Sequence, residues 1–121
     1  MDFKLGLFIH QKLFPKATAR SQILQLNEEI KEYETAECIG DKHEELGDVI
    51  NVIVSLMRFE ETKNIAKVLM RYYYFNRDPD ERAKRMKYYE KSLKKCKERV
   101  SQHRYEFTDG LYKRSKVDIN V

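Results

Sequence analysis

At 121 residues the chain suits a single domain, large enough to bury a core and too small for two, and a dimer sharing its core would fit that size. Only 4 glycines and 2 prolines interrupt a sequence rich in Glu, Lys, Leu, Ile and Arg, which favours long helices over a strand-rich sandwich and sets an all-α expectation. Cys38 and Cys96 form no CxxC pair, the N-terminus has no leader pattern, and no apolar run approaches the roughly 18 residues of a membrane span. A disulfide scaffold and a membrane span are therefore excluded, and a soluble protein of the reduced cytoplasm is expected. The formal charge of +4 is unevenly spread: residues 1–60 hold 7 Lys or Arg against 11 Asp or Glu, and residues 61–121 hold 17 against 9. An acidic half beside a basic half suggests a cation site next to an anion-binding surface.

In chain order, Phe3, Leu7 and Phe14 at helical spacing predict a short first helix closed by Pro15. A second helix is predicted over residues 17–38, capped by Thr18, with Ile23, Leu26, Ile30 and Tyr33 as its apolar stripe. Gly40 and Asp41 break that pattern, and Asp41 with Glu44 has capping-box spacing ahead of a third helix running to about Phe59. Thr62 is expected to cap a fourth helix through Tyr74. Asp78 as cap and Pro79 at the first helical position open a fifth over about residues 79–107. Met86, Tyr89, Leu93, Cys96, Val100, His103 and Phe107 form its heptad seam, so it should pack along another helix. Residues 1–108 thus read as one helical domain and residues 109–121 as a mobile or extended tail.

The chemistry concentrates in two helices. With Glu29 at zero, Glu32 falls at roughly −60° and the apolar positions at about +40° to +120°. With Glu45 at zero, Asp48 again falls at roughly −60° beside Leu46, Val49, Ile50, Ile53 and Leu56. One such pair is ordinary on an amphipathic helix. Two at the same phase, joined by a short loop, place Glu29, Glu32, Glu45 and Asp48 where they can converge, although the direction in which each edge turns stays open. Four carboxylates drawn together repel, and so call for protons or a cation; hard oxygen donors suit Mg²⁺, with Mn²⁺ as the alternative. Such ions keep open positions for substrate phosphates. Gly47 lies inside this segment and would let a backbone or a ligand approach closely.

Glu28, Glu29 and Glu32 spell EExxE, and after twelve intervening residues Glu45 and Asp48 spell ExxD. This arrangement resembles the signature of the MazG-like all-α nucleoside triphosphate pyrophosphohydrolases, over roughly residues 5–75. The resemblance implies a bundle of four to five helices completed by oligomerisation, as a homodimer or homotetramer. It also implies Mg²⁺-dependent cleavage of a nucleoside or deoxynucleoside triphosphate between the α and β phosphates, giving monophosphate and pyrophosphate. By carry-over Glu29, Glu32, Glu45 and Asp48 become the metal ligands, Glu29 the base, and Glu28 a neighbouring group that orients water. Family members place phosphate-holding Lys, Asn and Arg after the ExxD helix. Here Arg71, Asn76 and Arg77 are the candidates, in an unusual spacing, with Lys63 and Lys67 competing.

Phe8, Gln11, Lys12 and Asn51 offer an aromatic, amides and a cation for a base pocket, with a solvent-facing Asn51 as the equal alternative. His10, His43 and His103 show no zinc-binding spacing and read as surface or interface residues. Of Tyr72, Tyr73, Tyr74 and Phe75, some must enter the core. The segment from Arg82 to Arg104 holds ten Lys or Arg against two Glu. A non-catalytic helical module that binds nucleic acid or regulates a partner is therefore the alternative to an enzyme.

Overall fold

A computed structural model describes residues 2–115. The expected helices are present: α1 (Phe3–Leu13), α2 (Ala19–Thr35), α3 (Ile39–Leu56), α4 (Lys63–Met70), extended by a π-helical turn (Arg71–Phe75), and α5 (Pro79–Ser101). A small antiparallel sheet of β1 (Tyr105–Thr108) and β2 (Leu111–Arg114) follows. The chain is thus mostly helical. Among the described residues no helix is long and apolar enough to cross a membrane.

α3 is the central element, touched by α1, α2, α4 and α5. Its run from Val49 to Leu56 is buried on every side, as befits a helix apolar nearly all round. Val49, Ile50, Ile53 and Leu56 meet Leu26 of α2, Ala66 and Met70 of α4, and Tyr89 and Leu93 of α5. α3 comes close to α5 at Gly47, where any Cβ would collide with the carbonyl of Tyr88. The close neighbour that this glycine admits is therefore the α5 backbone.

The caps explain most of the boundaries. Asp2 accepts from the Leu5 N–H at 2.8 Å. Thr18 and Ser21 exchange side-chain and backbone hydrogen bonds of 3.0 and 2.9 Å, with serine where a capping box usually has Glu or Gln. Asp78 accepts from Glu81 N–H at 2.8 Å, with Pro79 behind it as expected. The α2–α3 break falls earlier than the glycine suggested: Cys38 is the cap, its Sγ accepting from Asp41 N–H at 3.4 Å, and Gly40 and Asp41 lie within the first turn. An acid in that position favours the helix dipole. Thr62 stands at the start of α4, but its hydroxyl donates to the Leu56 carbonyl at 2.7 Å and closes α3 instead.

Three other expectations are corrected. Ile23, placed on the apolar stripe of α2 by spacing, is 43% exposed. α5 ends at Ser101, because His103 adopts a left-handed backbone with φ of 55°; His103 and Phe107 therefore leave the seam, whose first five members face inward. Residues 109–114 of the stretch expected to be a mobile or extended tail form the turn and second strand of the hairpin, while residues 116–121 lie outside the described residues. Asp109 and Gly110, both at positive φ, make the two-residue turn of a hairpin. Tyr105 and Tyr112 of that hairpin each set an edge against Phe14 at 5.1 Å, and Lys16 N–H donates to Tyr112 Oη at 2.9 Å.

Candidate metal centre

The short α2–α3 connection brings the C-terminal half of α2 against the N-terminal half of α3. Carboxylate oxygens of Glu29, Glu32 and Glu45 come within 4.8 Å of one another. Gln25, one turn before Glu29, donates from Nε2 to Glu29 Oε1 at 2.8 Å and fixes that carboxyl. The other oxygen of Glu29, and Oε2 of Glu45, are buried without a hydrogen-bond partner. A buried oxygen left unpaired is costly. Burial first, then the charges of Asp48 and Glu32, push the Glu29 carboxyl up to about 8; Gln25 opposes the shift. Glu45 is raised to about 7 by burial, by a hydrogen bond with Glu32 and by the charges of Asp48 and Glu32, against the pull of Lys95. The cluster therefore demands positive charge, as protons or as a cation.

Asp48 adjoins this group and is engaged from the other side. Lys95 of α5 donates to Asp48 Oδ2 at 3.2 Å and to Glu44 Oε1 at 3.0 Å. That bridge holds the Glu44 carboxyl below its ordinary range, chiefly through the hydrogen bond, and ties α3 to α5. Lys91, Lys95 and Arg99 recur every four residues on one face of α5, and all three act on Glu44. This row of cations beside the carboxylates escaped the sequence reading; its spacing next to the Ser92 and Cys96 face was the available signal.

The other expected site residues are placed elsewhere. Glu28 is exposed and outside the cluster. Asn51 is buried and turned to α5, donating to Ser92 Oγ at 3.1 Å and Cys96 Sγ at 3.5 Å, so its amide is spent on helix packing and neither a base-facing nor a solvent-facing role describes it. Phe8, Gln11 and Lys12 lie on the outward face of α1, with Lys12 Nζ 4.8 Å from the Phe8 ring centre. Arg71 and Lys67 line an open cleft of 210 Å³ with Phe3, Met57, Met70 and Phe75. Met57 is nine residues beyond Asp48, about 13 Å along a helix, so the cleft opens at the far end of α3. Asn76 is exposed, Arg77 donates to the Tyr72 carbonyl from Nε and Nη2 at 3.1 and 2.9 Å, and Lys63 pairs with Glu60 at 3.3 Å. Tyr73 and Tyr74 pack on the core, whereas Tyr72 and Phe75 face outward.

His10, expected at a surface or an interface, is buried inside the fold. It lies among Gln22, Ser55 and Arg58, with Arg58 Nη1 3.1 Å from its Nδ1, and burial followed by the Arg58 charge lowers its pKa to about 3. His43 stacks on Tyr88 at 4.6 Å. The chain matches no protein-family model, no curated protein and no solved structure.

Proposed function

We propose that the chain is a MazG-like, Mg²⁺-dependent nucleotide pyrophosphohydrolase that releases pyrophosphate from a nucleoside or deoxynucleoside triphosphate. The observation that supports this most is the convergence of Glu29, Glu32 and Glu45 with two buried, unpartnered oxygens. Donors on opposite sides of an octahedral Mg²⁺ are about 4.2 Å apart and adjacent donors about 3 Å, so oxygens within 4.8 Å need only small side-chain adjustments to share one ion. All the donors are hard oxygens, which suits Mg²⁺ or Mn²⁺. Asp48 completes the set when Lys95 releases it.

Bound there, Mg²⁺ would supply Lewis-acid relief of phosphate charge. The protein's own groups do the rest. Gln25 holds Glu29 in place, and Glu29 takes the proton from the attacking water. Lys91, Lys95 and Arg99 offer positive charge to the phosphates from α5. The reading is tested with a panel of ribo- and deoxynucleoside triphosphates and Mg²⁺, products resolved by chromatography, alongside Glu29→Gln and Asp48→Asn. Monophosphate and pyrophosphate from at least one substrate, lost in both variants, is the expected result; no pyrophosphate from any substrate, or unchanged variants, rejects it.

One observation favours the second reading, a nucleic-acid-binding module. Lys84, Lys87, Lys91 and Lys94 are exposed at spacings of three and four along the outward face of α5, a row able to follow a phosphate backbone. Its mark is an affinity for nucleic acid that falls with salt and is indifferent to Glu45→Gln.

A further inference from the structure

The cleft of 210 Å³ beyond the end of α3 is lined by Phe3, Met57, Lys67, Met70, Arg71 and Phe75. Four apolar side chains make its floor and walls, and the rings of Phe3 and Phe75 meet edge to face at 6.0 Å. One wall is the π-helical turn: Asn76 N–H donates to the Arg71 carbonyl five residues back at 2.9 Å, a wide winding that recurs at functional sites. Lys67 and Arg71 stand four residues apart at the join of α4 and that turn, one above the other. Among the described residues neither has a carboxylate within ion-pair distance, and no acid lines the cleft. The acids of the neighbouring segments are engaged or outside the lining. Glu60 pairs with Lys63, Asp2 caps α1 and Asp78 caps α5, while Glu61 and Asp80 are exposed away from it. Arg77 is spent on the Tyr72 carbonyl. The lining thus carries two positive charges over an apolar floor.

We propose that this cleft binds a small organic acid, a carboxylate on an apolar body. The volume sets its size. At about 30 Å³ per water the cleft has room for about seven waters, enough for one aromatic ring or a short aliphatic chain and too little for a nucleotide or a phospholipid. The lining sets its polarity. The body displaces water from Phe3, Met57, Met70 and Phe75, while the carboxylate at the rim accepts from the Arg71 guanidinium and the Lys67 ammonium. Such an anion also relieves the repulsion between two cations one turn apart. A cationic ligand meets that repulsion itself, and a neutral one leaves both charges without a partner. Cleft and carboxylate cluster adjoin opposite halves of α3, so acid binding and nucleotide turnover are separate properties of the chain.

Titration of the full chain with 3-phenylpropionate, followed by amide chemical shifts, tests the proposal; acetate serves as the head without the body and 3-phenylpropan-1-ol as the body without the charge. One saturable site is expected, with a dissociation constant on the order of a millimolar or below and shifts centred on Phe3, Met57 and the Lys67 to Phe75 segment. The alcohol should bind at least about tenfold more weakly, and acetate should not saturate. Lys67→Gln and Arg71→Gln, both at exposed positions, should leave the spectrum folded and each weaken the acid roughly threefold to tenfold, with the double variant weaker than either. No saturation up to tens of millimolar acid, an alcohol that binds as tightly as the acid, or unchanged affinity in the double variant would overturn it.

Discussion

Glu29→Gln should stabilise the cation-free protein, and only above acidic pH. Below about pH 4.5 the Glu29 carboxyl is protonated in the folded and unfolded chain alike, and its altered pKa contributes nothing. Between 4.5 and about 8 the unfolded chain ionises while the folded chain keeps its proton, so stability falls as pH rises and levels off above 8. At about 1.36 kcal/mol per pH unit the full span is worth nearly 5 kcal/mol. Solvent reaching a half-buried site and proton sharing with Glu45 reduce this to on the order of 2 kcal/mol. Glutamine keeps the shape, including an oxygen for Gln25, and cannot ionise. Thermal unfolding by circular dichroism in EDTA should therefore show the variant melting roughly 6–10 °C above wild type at pH 8 and within a degree or two at pH 4.5. Added Mg²⁺ should raise the wild-type midpoint and leave the variant nearly unmoved. An equal gain at both pH values, or a loss at pH 8, would refute the electrostatic account of the cluster.

Mg²⁺ affinity, measured by calorimetry from pH 6 to 9, should climb as the protons of Glu45 near 7 and Glu29 near 8 are released on binding, and then flatten; a flat profile across this range contradicts the linkage. Lys95→Met leaves Asp48 without its counter-ion, so urea unfolding in EDTA should show a loss of about 1 kcal/mol, while Mg²⁺ binds several-fold more tightly because the fourth carboxylate is freed. Gly47→Ala drives a Cβ into the Tyr88 carbonyl and should lower the unfolding free energy by about 2–4 kcal/mol; a neutral result would mean that α3 and α5 are less closely packed than described.

Much of this architecture was legible in local chemistry. Thr18 and Asp78 announce their helices through hydrogen bonds made within one turn, Pro79 through its fixed φ, and helical phase puts Glu29, Glu32 and Glu45 at the edge of the shared apolar stripe while leaving open whether they meet. What phase could not supply was the partner across the interface. Asn51 lies on the acidic side of α3 by angle, yet its amide is claimed by Ser92 and Cys96 of α5. Asp48 has the right phase and is held by a lysine 47 positions away in the chain. His10 looked like a surface residue because nothing near it in sequence points to Gln22, Ser55 or Arg58. The hairpin is a different kind of miss: the Asp109-Gly110 pair between YEFT and LYKR is a strong local turn signal, and the heptad spacing reaching Phe107 obscured it.

Glu29, Glu32 and Glu45 should share one divalent cation. Mn²⁺ titration followed by electron paramagnetic resonance tests it most directly, since free and protein-bound Mn²⁺ are counted separately, with Mg²⁺ competition as the second step. One bound Mn²⁺ per chain, displaced by Mg²⁺ and lost in Glu45→Gln, is expected. No bound ion, or the same binding in Glu45→Gln as in wild type, would contradict it.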